Sequence, residues 1–288
     1  MGCTLDGEND GNEEDERNDR RAANEIPNVP QEVMKINFDI IQTKVISKGR
    51  RKFTVYVIIV METPGLDADK AIIERRYNEF NALHKGLRKE FPKVMKNVPH
   101  FPRKKFFGSS LLKNLVEDRC RLFEKYLRYL YHQEGVAESK AFQKFFVKSH
   151  LKHATELLKC EQYEESCKQY QLAAHLQKKL GTGNMEDRII ALCGVVETCK
   201  NMSDYKLANI RGTECLEILK LSSNPTQYDV SNPFLLGLMT SVIDARKREN
   251  VDVQSWKGLD IDFRKCKEQS SNGHDQIESL RVLLVKKY

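Results

Sequence analysis

The run Val55-Tyr56-Val57-Ile58-Ile59-Val60-Met61 carries no charge and is only seven residues long. It falls far short of the roughly 18 apolar residues a membrane-spanning helix needs. Its β-branched and aromatic side chains suit a buried strand. A chain with this segment must build a sheet around it. Ile36, Phe38 and Ile40 alternate just upstream, which is the period of a half-buried partner strand. Thr63-Pro64-Gly65-Leu66-Asp67-Ala68-Asp69 supplies turn residues, and Ala71 to Glu74 makes a third short strand. The expectation is three antiparallel strands.

Beyond the strands the period changes. Phe80, Leu83, Leu87 and Phe91 recur at spacings of three and four, which predicts a helix from Tyr77 to Phe91 that Pro92 terminates. A loop containing Pro99 and Pro102 runs to Ser110. Leu112, Leu115, Cys120, Phe123, Leu127 and Leu130 then mark a second helix, and Ala141, Phe142, Phe145 and Phe146 a shorter one. A small α+β domain over residues 33–149 follows from this pattern.

Residues 150–288 read as all-helical. Tyr163/Cys167/Tyr170/Ala174 and Leu207/Ile210/Cys215/Ile218 are apolar stripes, each preceded by another apolar helix. Gly181 to Asn184 and Ser222 to Pro233 separate the pairs, so helical hairpins stacked in series are expected. The Tyr163 to Tyr205 spacing exceeds the 34 residues of a tetratricopeptide repeat, making the region like such a repeat without matching it. Tyr163, Tyr170 and Tyr205 suit either a groove lining or a core. Leu259, Ile261 and Phe263 alternate, and Val282 to Val285 reads as a docked segment of unassigned form.

Charge is unevenly placed. Through Glu32 there are ten acidic and three basic residues, a balance of −7, so the remainder carries +14 to give the chain's +7. Residues 1–32, with Glu13-Glu14-Asp15-Glu16 and few large apolar side chains, read as a disordered acidic leader. Met1-Gly2-Cys3 would offer lipidation sites, but Asp6 stands where an acceptor Ser or Thr is expected. No apolar leader follows a charged start, so secretion is not expected. The eight cysteines include no CxxC pair and read as reduced, cytosolic and structural. A basic body implies an anionic partner, either nucleic acid or an acidic membrane.

Arg75-Arg76-Tyr77-Asn78-Glu79-Phe80 sits where the third strand hands over to the first helix. Two guanidinium groups, a flat ring and nearby helix amides form the elements of a phosphate clamp. Arg103-Lys104-Lys105-Phe106-Phe107 combines cations with aromatic rings, as a membrane-contact loop would. The two rings would serve core packing equally well.

The order of three strands, Arg-Arg-Tyr motif, helix, proline loop with lysine, and helix with arginine resembles the phox-homology (PX) domain of sorting nexins. It covers about Met34 to Ser149. The resemblance implies that Arg76 grips the 3-phosphate of phosphatidylinositol 3-phosphate and that Tyr77 stacks under the inositol. Lys104, within Val98-Pro99-His100-Phe101-Pro102-Arg103-Lys104, would meet the 1-phosphate, and Arg119 the inositol hydroxyls. Phe53-Thr54-Val55-Tyr56 and the helical hairpins further resemble the sorting nexin 20 and 21 group, which adds a helical PXB domain like tetratricopeptide repeats. The implied protein is a cytoplasmic adaptor, peripheral on early endosomes. One domain reads the lipid and the other holds the cytosolic tail of a membrane cargo or another protein.

Rival classes leave weaker traces. GxxxxGK, HExxH and GxSxG are absent, and Gly181-Thr182-Gly183 lacks a third glycine and a preceding strand, so no catalytic residue and no cofactor is expected. The histidines are scattered, and His150 with His153 lacks companion ligands, so no metal is expected. A nucleic-acid protein would carry a long basic stripe, whereas Glu161, Glu164 and Glu165 interrupt the basic residues here. Gly181, Gly183, Pro225 and Pro233 break the very long helices a membrane-bending BAR domain requires. The remaining alternatives are a helical scaffold whose PX fold binds no lipid, and a basic nucleic-acid-binding protein.

Overall fold

The computed structural model describes residues 35–49, 51–103, 113–221, 223–249, 252–270 and 277–288. The expectations for the acidic leader, for Gly2 and Cys3, and for Lys104, Lys105, Phe106 and Phe107 fall outside the described residues.

Strands β1 (Lys35–Lys48), β2 (Arg51–Thr63) and β3 (Ala71–Arg76) form an antiparallel sheet in that order. The register pairs Phe38 with Val60 and Ile58 with Ile73, so alternate residues share a face. Phe38, Tyr56, Ile58, Val60, Ala71 and Ile73 are buried on it. Helices α1 (Tyr77–Glu90) and α2 (Lys113–Tyr131) cover that face. Phe91 caps α1 instead of continuing it, because the residue before a proline disfavours helical backbone. Aromatic side chains fill the space between the layers. Phe80 of α1 lies parallel on Phe123 of α2 with centroids 3.7 Å apart, and Tyr56 meets both edge-on.

After α2 the chain enters α3 (Lys140–Gln143), a π turn (Lys144–Lys148) and α4 (Ser149–Lys159) without a break in helical backbone. Residue 149 lies inside this run. Helices α5 (Tyr163–Lys179), α6 (Met185–Asn201), α7 (Tyr205–Ile218), α8 (Leu235–Arg248) and α9 (Val253–Gln269) follow in sequence. Consecutive helices pack on one another, and α10 (Leu280–Lys287) returns to α6 by burying Leu280 and Leu284.

Several local expectations change. The separator after α7 holds a small hairpin, β4 (Lys220–Leu221) with β5 (Asn224–Tyr228). Leu259, Ile261 and Phe263 lie in α9, where a spacing of four puts Leu259 and Phe263 against the core and leaves Ile261 54% exposed. Tyr170 is core, its hydroxyl 2.8 Å from Thr155 Oγ1, while Tyr163 and Tyr205 are half-buried and meet Arg281 and Arg248.

Polar contacts tie the β2–β3 turn to α5 and α3 to the turn after α5. Lys179 Nζ of α5 lies 2.8 Å from Asp67 Oδ2 in the β2–β3 turn and 3.6 Å from Glu62. His175 approaches the Asp69 carbonyl at 2.9 Å, and Gln143 Nε2 donates to Thr182 Oγ1 at 3.1 Å. Lys179 holds the Asp67 carboxyl down at about 2.

Candidate functional site

Side chains alternate across a strand, so Arg75 and Arg76 must leave β3 on opposite faces. The structure separates them fully, which corrects the reading of a two-guanidinium clamp. Arg75 points into the core and is 4% exposed. Its Nε donates to the Phe145 carbonyl at 2.8 Å, and its Nη2 bonds the same carbonyl, Ser149 Oγ at 3.0 Å and His150 Nε2 at 2.8 Å. Phe145 lies in the π turn, so Arg75 ties β3 to that turn through a main-chain carbonyl. Burial lowers the Arg75 pKa to about 10, which still leaves it charged at neutral pH.

Arg76 faces solvent. It caps α1 with extended backbone, φ −96° and ψ 161°, and its N–H donates to Glu79 Oε2 at 2.8 Å, which is half of a capping box. The guanidinium lies over the Phe53 ring at 4.8 Å, with Nε 3.8 Å from Glu79. Phe53 and Glu79 thus steer this side chain. Neither role was assigned from sequence, although Glu79 three residues after a helix start is a legible capping signal.

Tyr77 and Arg119 come together for a simple reason. The Phe80–Phe123 stack fixes α1 against α2, and one turn upstream on each helix stand Tyr77 and Arg119. The Arg119 guanidinium lies 4.6 Å from the Tyr77 ring centroid. Tyr77 hydroxyl donates to the Pro102 carbonyl at 2.8 Å, which ties the proline loop to the helix start. Arg119 Nη2 donates to the Arg103 carbonyl at 3.1 Å. Phe101 and His84 stack beneath the loop at 4.3 Å, and burial lowers the His84 pKa.

The electrostatics of Arg119 are unusual. It is 3% exposed, and among the described residues no carboxylate lies within 4 Å of it. Among the described residues its Nε is buried without a hydrogen-bond partner, and it lies near the Tyr56 hydroxyl, whose pKa burial raises and the Arg119 guanidinium lowers in part. Buried guanidinium groups ordinarily meet an anion. Tyr77 and Arg119 form a stacked pair beside the Arg103 carbonyl, and the exposed Arg76 precedes Tyr77 in the chain. Among the described residues, no group of three or more His, Cys, Asp or Glu side chains is placed to hold a metal, and no helix is long and apolar enough to cross a membrane.

Residues 63–149 match the family model of the PX domain. Over 169 residues the chain is 30% identical to sorting nexin-20 of Rattus norvegicus, covering 59% of this chain and 53% of that protein. Over 192 residues it is 28% identical to sorting nexin-21 of Mus musculus, covering 66% of this chain and 52% of that one. A solved structure of a designed CISK-PX domain is 29% identical over 38% of this chain and 95% of that chain, with a TM-score of 0.32. The chain spans about half the length of the curated relatives it matches. Its fold is that of a PX domain, a three-stranded antiparallel sheet with helices, followed by a helical C-terminal region.

Proposed function

We propose that this PX-fold chain binds a phosphoinositide headgroup at the Tyr77–Arg119 cluster and acts as a peripheral adaptor in membrane trafficking. Its similarity to sorting nexins 20 and 21 supports that class of role. The preferred ligand is phosphatidylinositol 3-phosphate on the early endosome, with sorting of membrane-protein cargo as the outcome. In this reading Arg76 binds the 3-phosphate through its planar donor fork, and Tyr77 supplies the face for the inositol ring. Arg119 reaches the ring hydroxyls and Lys104 the remaining phosphate. Arg103, Lys105, Phe106 and Phe107 make the membrane-contact loop, and the C-terminal helices hold a cytosolic tail or other protein.

One observation carries the proposal: a buried arginine with no carboxylate within 4 Å among the described residues, stacked on the tyrosine that follows an exposed, steered arginine. A headgroup supplies the missing anion and accepts the open donors. The proposal requires no bond-making chemistry.

Liposome co-sedimentation tests it. Charge-assisted hydrogen bonds contribute about 1.5–3 kcal/mol each, so Arg76→Ala should weaken binding to vesicles containing phosphatidylinositol 3-phosphate by roughly 10- to 100-fold. Arg76 is exposed, so its thermal transition should stay within about 1 °C of the parent. Undiminished binding by Arg76→Ala would sink the assignment. Equal binding to every phosphorylated inositol lipid would keep the site and remove the lipid preference.

A further inference from the structure

Among the described residues, two pairs of thiols meet inside the helical region, and their surroundings differ. Cys167 of α5 and Cys199 of α6 have sulfurs 3.6 Å apart. Cys193 of α6 and Cys215 of α7 have sulfurs 3.9 Å apart. The second pair is fully buried, and among the described residues its further hydrogen bond runs from Cys215 to the Ile189 carbonyl at 4.0 Å, which is an acceptor. An acceptor stabilises the thiol, not the thiolate. Burial also raises the Cys193 pKa.

Cys167 has the opposite environment. Gln171 Nε2, one turn along α5, donates to its sulfur at 3.5 Å, and the Cys199 S–H can donate to it from the other side. Two donors converge on one sulfur. That geometry favours negative charge on Cys167, and the hydrogen bond between the two sulfurs lowers the Cys167 pKa and raises that of Cys199. Cys167 is also 5% exposed, one turn in from the start of α5 at Tyr163, whereas Cys199 is fully covered. A small oxidant therefore reaches Cys167 first.

We propose that Cys167 and Cys199 form a peroxide-oxidisable dithiol, with Cys167 attacking and Cys199 resolving, while Cys193 and Cys215 stay reduced. The Cys167 thiolate attacks one oxygen of hydrogen peroxide, the O–O bond breaks, and hydroxide leaves to take up a proton, giving a sulfenic acid and water. The Cys199 sulfur then attacks the sulfenic sulfur and loses its proton as the S–O bond breaks to release a second water. Two thiols and one peroxide give one disulfide and two waters. The bond would join α5 to α6. Because Lys179 of α5 is bonded to Asp67, the crosslinked hairpin would remain fixed to the sheet.

Peptide mapping of the full chain carrying Cys160→Ser tests this, since Cys160 and Cys167 share the tryptic peptide 160–168. The folded protein is treated with hydrogen peroxide, trapped with N-ethylmaleimide and digested without reductant. The expected product is 160–168 linked to 189–200, with fragment ions placing the bond on Cys199 and loss of the link on adding dithiothreitol. The additional substitution Cys193→Ser should retain the link and Cys199→Ser should abolish it. The fragment ions need no core substitution, so a variant that fails to fold leaves the test intact. Linkage through Cys193 overturns the proposal, as does prior linkage of 189–200 to 212–220. Alkylation of both Cys167 and Cys199, after exposure that fully oxidises free glutathione, overturns it as well.

Discussion

The two arginines of the strand-to-helix junction have the same chemistry and opposite fates. Arg76 is solvated and steered by Phe53 and Glu79, while Arg75 joins β3 to the π turn and to His150. His150 accepts from Arg75 at Nε2, so Nδ1 carries the proton and donates to Gln169 Oε1 at 2.7 Å. Burial, then the Arg75 charge, lowers the His150 pKa to about 4. The unfolded chain binds that proton near pH 6.5, and the folded protein refuses it until about pH 4. Stability is thus complete above the unfolded value and falls between the two as pH drops, by on the order of 2–3 kcal/mol. Urea midpoints measured from pH 7 to 4.5 should decline accordingly, and His150→Gln should flatten the decline. Arg75→Met, which strips the Phe145 carbonyl, Ser149 and His150 of their donor, should cost about 2–4 kcal/mol in the same assay.

At the scale of elements, packing distance decides the sign of one and the same substitution. A methyl group on Gly194 of α6 would stand 2.5 Å from the Tyr170 ring of α5, and that ring is fully buried with nowhere to withdraw. A methyl group on Gly258 of α9 would meet nothing within 4 Å. Alanine gains up to about 1 kcal/mol over glycine inside a helix, whereas overpacking costs about 1–3 kcal/mol. Gly258→Ala should therefore raise the thermal midpoint and Gly194→Ala should lower it. A rise in both would mean that α5 and α6 lie farther apart than described here. The same logic explains the site, where the Phe80–Phe123 contact sets the distance between Tyr77 and Arg119.

For the whole molecule, the consequence lies in how the helical region meets the sheet. The side chains of Lys179 and Asp67 are 4% and 6% exposed, so the pair is shielded from solvent, and among the described residues its loss leaves the ammonium with Glu62 at 3.6 Å. Asp67→Asn should cost about 2–3 kcal/mol. Hydrogen exchange should quicken together in the β2–β3 turn and in the last turns of α5, because the contact holds both. Faster exchange in the turn alone would show that the sheet and the helices open independently.

Much of this protein was legible in its sequence because local periodicity reports which side chains are buried. The apolar run of β2, the three-four spacing of Phe80, Leu83 and Leu87, and the punctuation at Pro92 and Gly181 follow from chain chemistry within a few residues. The resemblance to a known motif also named Arg76, Tyr77 and Arg119 as candidates for one site, and of these the structure brings Tyr77 and Arg119 into contact. Periodicity fails where a short pattern fits two structures, as with Leu259, Ile261 and Phe263, whose alternation turned out to lie on a helix. Only the tertiary structure decided that Arg75 turns inward to a carbonyl of the π turn, that Arg119 is buried with no carboxylate within 4 Å among the described residues, and that Cys167 meets Cys199. Those facts depend on elements up to 75 residues apart in the chain. A sequence records the chemistry of each side chain, but the distance between two of them is set by the packing of everything between.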